Sequence, residues 1–378
     1  MKILLVGEYS RLHNSLKEGL TALGHTATIV STGDNFKNYP TDFSINPAFT
    51  TGSFLARKIR NVLYRLTGFD VEKTEKGLRF YFLLPKLKGY DHVQLINSDA
   101  IETHPAFERW LYRKLLRQNK KMSLLVCGDD TPVVDYYLSG KMPWHVLTPY
   151  LKNPKLKKLY SYSLKYTFKG YRKLFEFVEK ESSVLITSDL DYKLPMEAMG
   201  YTVTYIPNPV NTDKITFRPA KVKDKIVIFL GINRLSYIKK GIPYFEEALE
   251  IVKQRYADNI EIIVAENTPY AKYIQLYERA HILLDYTYGL DQGYNALEAL
   301  AAGKVVFTGA GAEFMQHYNL TDRVAIHAIP DANAIAAELV KLIKNPEDIE
   351  AISKRARAFI EKEHNYAEVA KKYLEAWS

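Results

Sequence analysis

The chain has 378 residues, 47% hydrophobic and 25% charged, and at about 150 residues per domain this predicts two or three domains. The composition excludes disordered, collagen-like and coiled-coil organisation, and a chain this long buries enough core to fold without disulfides. Lys and Arg outnumber Asp and Glu by 52 to 43, a formal charge of +9, which suits nucleic acid, anionic lipid or a phosphorylated small molecule without choosing among them.

Residues 3–6 read as a first strand, followed through Gly7, Glu8, Tyr9 and Ser10 by a helical pattern carrying Leu12, Leu16, Leu20 and Leu23, and then a strand over 26–30. This is a βαβ start whose first loop lies where open α/β sheets bind ligands. No complete Gly-x-Gly-x-x-Gly fingerprint is present. Further strands are predicted over 92–95, 123–126, 184–187 and 203–206, with helices over 107–117 and 168–180. The run Pro207-Asn208-Pro209-Val210 opens a proline-rich stretch read as the interdomain linker. Alternation then restarts: strands over 226–230, 260–265, 282–285 and 305–308, and helices over 243–256, 270–280 and from Asn295. Helices complete the chain after Pro330.

The apolar run at the start is too short for a signal-peptide core, and nothing approaches the roughly 20 apolar residues of a spanning helix. The single cysteine, Cys127, has no intramolecular partner, which fits a reducing compartment. The expected location is cytoplasmic, at most peripheral on the inner face of the membrane.

Two segments carry chemistry. In 231–241, Gly231 turns a strand into a loop that holds Arg234 and Lys240 and opens a helix. Two cations beside a helix N-terminus suit a diphosphate; the alternative is a solvated basic loop. In 286–306, a glycine-bearing loop enters an alanine-rich helix, so amides near Tyr294, Asn295 and Ala296 are placed to meet an anion. Glu298, one turn in, is either a ligand for a hydroxyl or an ordinary first-turn acid.

Together with Gly241, the run from Asn295 to Val306, Gly309, Gly311, Glu313 and the linker 206–211, these segments resemble the nucleotide-sugar-dependent retaining glycosyltransferases of the group 1 or family 4 kind. The resemblance covers the second half and, in the first half, only the opening strand and loop. It implies an α/β fold of two Rossmann-like domains facing across a cleft, the GT-B architecture: 1–208 for the acceptor, 209–364 for the donor, and a helix over 365–378 that either closes the core of the second domain or packs back on the first. It implies no cofactor or metal, a nucleotide diphosphate sugar as donor and a glycan or lipid-linked hydroxyl acceptor. Arg234 and Lys240 would hold the diphosphate, Glu298 the ribose hydroxyls, and Gly231 and the amides of 294–296 the phosphate or sugar.

The chain departs from that family where a first glutamate should stand eight positions before Glu298: the residue is Leu290, and Asp291 is the nearest carboxylate. Asp291 is the expected substitute, a changed sugar contact the alternative. In the acceptor half, Cys127-Gly128-Asp129-Asp130-Thr131 lacks the family's histidine; Asp129 is a candidate base and Asp130 a helix cap. His13 and His104 are further cleft candidates. The Lys- and Arg-rich, aromatic stretch 151–180 and the cluster Arg57, Lys58, Arg60 and Arg65 suit an anionic membrane surface, ahead of nucleic acid, or else are solvated helix faces with their aromatics in the core. The functional expectation is a transferase of surface polysaccharide or glycolipid synthesis. A catalytically silent sugar-nucleotide-binding protein and a nucleic-acid-binding protein are the competing readings.

Overall fold

A computed structural model describes residues 1–34, 38–268 and 270–378. The first half is one parallel sheet of seven strands: β1 (Lys2–Val6), β2 (Thr26–Ser31), β3 (Phe43–Ser44), β4 (His92–Leu95), β5 (Lys121–Val126), β6 (Leu185–Thr187) and β7 (Thr204–Tyr205). The second is a parallel sheet of five: β8 (Ile226–Ile232), β9 (Ile260–Glu266), β10 (Ile282–Leu284), β11 (Val305–Thr308) and β12 (Ile326–His327). The central strands read as continuous apolar runs because helices cover both faces of each sheet; Ile3, Leu4, Leu5 and Val6 are all fully buried.

The strand orders decide where ligands can sit. The first sheet runs β3-β2-β1-β4-β5-β6-β7 and the second β12-β11-β10-β8-β9. In each, the chain steps outward in opposite directions from one adjacent pair, β1 and β4 or β8 and β10. The loops leaving the carboxyl ends of such a pair diverge and leave a crevice. In the second sheet those loops are 233–241 and 285–293, the two segments singled out in the sequence.

The chain crosses between the sheets twice, side by side. Val210 donates its amide to His364 O (2.7 Å) and accepts from Tyr366 N (3.2 Å), while the His364 ring donates to Asn208 O (2.8 Å). Beyond that point helix Tyr366–Trp377 lies against helix Leu12–Ala22 of the first sheet. Gly19 makes the approach possible, because a Cβ there would stand 2.2 Å from Tyr366 O. Trp377 ends beneath β4, stacked on His92 with ring centroids 4.6 Å apart and donating to Gln94 Oε1 (3.2 Å). Gln94 is fully buried with both amide atoms engaged, and His92, also fully buried, bonds Ser123 Oγ through Nε2 at 2.8 Å while its Nδ1 has no partner.

The stretch 151–180 folds differently from its expected role as a basic, aromatic docking surface. Tyr160, Tyr166, Tyr171 and Phe175 are buried, and in helix Lys169–Glu181 the residues Tyr171, Leu174, Phe175 and Val178 form one inward stripe. These four aromatics are core, as the reading of solvated helix faces expects, while Tyr162 and Phe168 stay exposed, too few for the run of stacked bases that single-stranded nucleic acid would need.

Candidate active site

The loop 233–241 is built by Gly241, which at φ 69° caps helix Ile242–Tyr256 and stands so close to Thr287 that a Cβ would fall 1.9 Å from its Oγ1. Thr287 N donates to Lys240 O (3.1 Å), so the loops after β8 and β10 are joined. Lys240 Nζ and Asn295 Nδ2 both donate to Asp285 Oδ1, at 2.7 and 2.6 Å. Asp285 therefore fixes a cation and the first turn of helix Tyr294–Ala301 with one oxygen. Arg234, 54% exposed, binds Glu266 through two hydrogen bonds of 2.5 and 2.6 Å and lies over the Tyr237 ring at 4.6 Å. Arg234 and Lys240 are thus oriented by carboxylates at the ends of neighbouring strands. Gly231 closes β8, and a Cβ there would press on Tyr273 Oη at 3.0 Å.

Helix Tyr294–Ala301 begins after Gly293, and its first amides, on Tyr294 and Asn295, have no intrahelical acceptor. Ala296 differs from the sequence expectation: its amide already donates to Gly293 O at 3.0 Å, which withdraws it from anion binding. The Tyr294 ring turns away and donates to Pro209 O at 2.9 Å. Glu298 faces the first half, with Arg11 Nη1 3.9 Å from its Oε1. Burial raises its carboxyl above the ordinary range, and Arg11 opposes that shift.

Asp291 is not turned toward this crevice. Its Oδ1 accepts from Gln292 N (2.8 Å), and its Oδ2 accepts from Leu190 N and Tyr205 Oη (both 3.3 Å). Asp191 accepts from Leu290 N across the same seam (3.0 Å), and Tyr205 Oη meets Tyr318 Oη at 2.5 Å. The carboxylate expected to replace the missing glutamate is here a strut between the two sheets, and Leu290 itself is buried. Burial pushes Asp291 up to about 6 and Asp191 up to about 7.

From the first sheet, the loops after β1 and β5 reach this crevice, through Arg11 beside Glu298 and Asp129 beside Lys239. Asp130 caps helix Thr131–Leu138 and accepts from Ser98 N and Oγ (3.0 and 2.8 Å), the expected capping role. Asp129 bonds Ser163, with its carboxyl raised by burial and lowered in turn by Lys239 of the 233–241 loop. His13 is a core residue: its Nδ1 donates to Gly7 O at 2.7 Å, and burial lowers it to about 4, so it stays neutral. His104 stacks on Phe69 and donates to Asp70 O (3.0 Å).

Three residues had no role in the sequence expectation. Ser10 and Arg11 adopt φ of 51° and 76°, unusual for non-glycine residues and costly unless the surroundings demand it; the bend is what brings Arg11 to Glu298. Glu8 is buried with Oε2 accepting from Asn14 N and Nδ2 (2.9 and 2.5 Å), while Oε1 has no partner. Burial raises its carboxyl to about 7. The one available signal was a carboxylate in the first loop after a central strand, the commonest address for function in such a sheet.

Residues 238–375 match the family model described as glycosyl transferase-like. No curated protein matches the chain. Among solved structures, the fold is shared with sucrose-phosphate synthase from Thermosynechococcus elongatus (14% identity, 100% of this chain and 98% of that one, TM-score 0.61). It is also shared with Anabaena HepE in complex with UDP and glucose (12%, 99% and 98%, 0.58) and with UDP-GlcNAc 2-epimerase from Neisseria meningitidis bound to UDP-GlcNAc (14%, 100% and 99%, 0.54).

Proposed function

From the premise that this chain has the GT-B fold of glycosyltransferases, with a second half of the glycosyl transferase-like kind, we propose that it is a retaining glycosyltransferase. It moves a sugar from a nucleotide diphosphate sugar to a hydroxyl of a glycan or lipid-linked acceptor in surface polysaccharide or glycolipid synthesis, working at the inner face of a membrane. The observation that carries this reading is the set Arg234, Lys240, Asn295 and Glu298, gathered at the switch point of the second sheet and facing the loops of the first.

Arg234 and Lys240 hold the diphosphate, with the open amides of Tyr294 and Asn295 and the close backbone at Gly231 beside them. Arg234 exchanges Glu266 for the ligand, at small cost because exposed ion pairs contribute only about 0–1 kcal/mol. Glu298 accepts from ribose hydroxyls. The acceptor oxygen attacks the anomeric carbon on the face from which the diphosphate leaves. The C–O bond to phosphate breaks as the new one forms, and a leaving phosphate oxygen takes the hydroxyl proton. The two cations offset the charge developing there, in place of a metal. Asp129, beside Lys239, orients the acceptor.

The test is the double variant Arg234→Ala/Lys240→Ala assayed for transfer and hydrolysis of UDP-, GDP- and ADP-sugars. Losing one such charge-stabilising contact costs about 10²–10³ in turnover, so turnover falls by at least that factor with an unchanged melting curve. Unchanged turnover would overturn the assignment, and sugar epimerised without transfer would replace it. The position of Leu290 and the turned-away Asp291 favour a second reading, a silent sugar-nucleotide-binding protein. It predicts ligand-induced thermal stabilisation, about 2.7 kcal/mol at 100 times Kd, with no product from any donor.

A further inference from the structure

Helix Phe54–Thr67 buries none of its residues. It is nonetheless a well-ended helix: Ser53 accepts from Ala56 N at its start, and Gly68 closes it at φ 70°. At 3.6 residues per turn, Leu55, Ile59, Val62, Leu63 and Leu66 fall on one face. These five are 66, 52, 51, 39 and 79% exposed, so the apolar face is the one turned to solvent. The side that touches the protein is the flank carrying Ala56 and Arg60, the only partly covered residues of the helix, where Arg60 pairs with Glu72. Phe49, Phe54, Phe69 and Phe82, from the neighbouring segments, are exposed as well. An ordinary surface helix has the reverse orientation, because water contact with five large aliphatic side chains is unfavourable.

Charge identifies what covers this face. Residues 48–69 contain Arg57, Lys58, Arg60 and Arg65 and neither Asp nor Glu. Lys58 and Arg65 border the apolar face on one side and Arg60 lies beyond it on the other, the pattern of a helix lying in a lipid headgroup layer. A second copy of the chain fits poorly, since a twofold contact would set these cations against their own images. The placement also has a direction. Phe69 stacks on His104 at 4.8 Å, and Glu75 accepts from Phe49 N and Thr50 N at 2.9 and 2.8 Å. One end of the helix is thereby moored to His104, in the loop at the carboxyl end of β4, and the other to Glu75 of helix Val71–Leu83, which puts the helix on the same side of the first sheet as its other carboxyl-end loops. Among the described residues no helix is long and apolar enough to cross a membrane.

We propose that helix Phe54–Thr67 is an in-plane anchor that inserts Leu55, Ile59, Val62, Leu63 and Leu66 into an anionic phospholipid bilayer and seats the first sheet's side of the crevice against the headgroups. Of the two basic segments of the sequence, it assigns the membrane contact to the one around Arg57, Lys58, Arg60 and Arg65. That this seat receives a lipid-linked acceptor rests on the function proposed above; vesicle binding itself requires no donor, so either idea can fail while the other stands.

The experiment is flotation of the full chain with vesicles of phosphatidylcholine alone or mixed with phosphatidylglycerol. The chain floats with the mixed vesicles, on the order of tenfold or more above phosphatidylcholine alone. Ile59→Asp/Leu66→Asp, whose solvent-facing positions leave the melting curve unchanged, reduces flotation on the order of tenfold. Leu66→Trp shows a blue-shifted emission with mixed vesicles only. Wild type that stays with neither vesicle, or an aspartate pair that floats like wild type, overturns the proposal. So does sedimentation velocity showing a dimer that the aspartate pair dissolves, with no vesicle binding: the face would then belong to a second copy.

Discussion

Gly19→Ala tests the docking of the last helix on the first sheet. The new Cβ would lie 2.2 Å from Tyr366 O and 2.8 Å from Ala370 Cβ. Contacts this short lie well inside the roughly 3.5–4.0 Å optimum for carbon atoms, and the atoms met are backbone and an alanine methyl, which cannot swing aside, so helix Tyr366–Trp377 must move bodily by about 1 Å. Overpacking of this kind costs about 1–3 kcal/mol, and the movement also loosens Trp377 from His92 and Gln94. Alanine in a helix interior returns up to about 1 kcal/mol by propensity. A control separates the two effects: Gly170, also helical, has Pro105 carbons no nearer than 3.5 Å, an ordinary contact. Gly170→Ala therefore holds or raises stability, while Gly19→Ala lowers the first transition in a circular-dichroism melt by about 2–10 °C at about 2–4 °C per kcal/mol. A Gly19→Ala protein melting at or above wild type would refute the reasoning.

The acidic seam gives a pH prediction. Asp191 is raised by burial from 3.8 to about 7, so the folded form keeps its proton where the unfolded form has lost it. Its contribution to stability is present at low pH and lost as pH rises from about 4 to 7. Asp191→Asn, which keeps an acceptor for Leu290 N, thus raises the melting temperature at pH 8 and leaves it nearly unchanged near pH 4, as thermal melts across pH will show; an equal shift at both ends would exclude the charge as cause. If Glu8, raised to about 7, lies in the reaction path, turnover follows a limb near pH 7 that Glu8→Gln removes. A limb that persists in Glu8→Gln assigns the titration elsewhere.

Much of the sheet architecture was legible because buried parallel strands are unbroken apolar runs: β1, β4, β8 and β11 stand where the sequence places them. The edge strands β3 and β12 were not, since each is two residues long and has no period to detect. The stretch 151–180 misled because cations between aromatics at helical spacing describe a core-facing amphipathic helix as well as a docking surface, and only burial separates them. At the site, the loops with Arg234, Lys240 and Glu298 were readable from glycine and charge. Their partners were not: Glu266 and Asp285 end β9 and follow β10, and pairing across strands is a property of sheet order. The same holds for Asp291, whose carboxylate could be placed in sequence but not aimed.

The position of Trp377 also sets an order in time. A chain emerging residue by residue completes the strands of the seven-stranded sheet by Tyr205, yet the cover for helix Leu12–Ala22 arrives only with Tyr366–Trp377. At roughly 5–20 residues per second the wait is on the order of ten seconds or more. During it, the nascent first half holds an open apolar seam around Gly19, Leu16 and Leu20, a place for a chaperone to bind and then be displaced by the chain's own final helix.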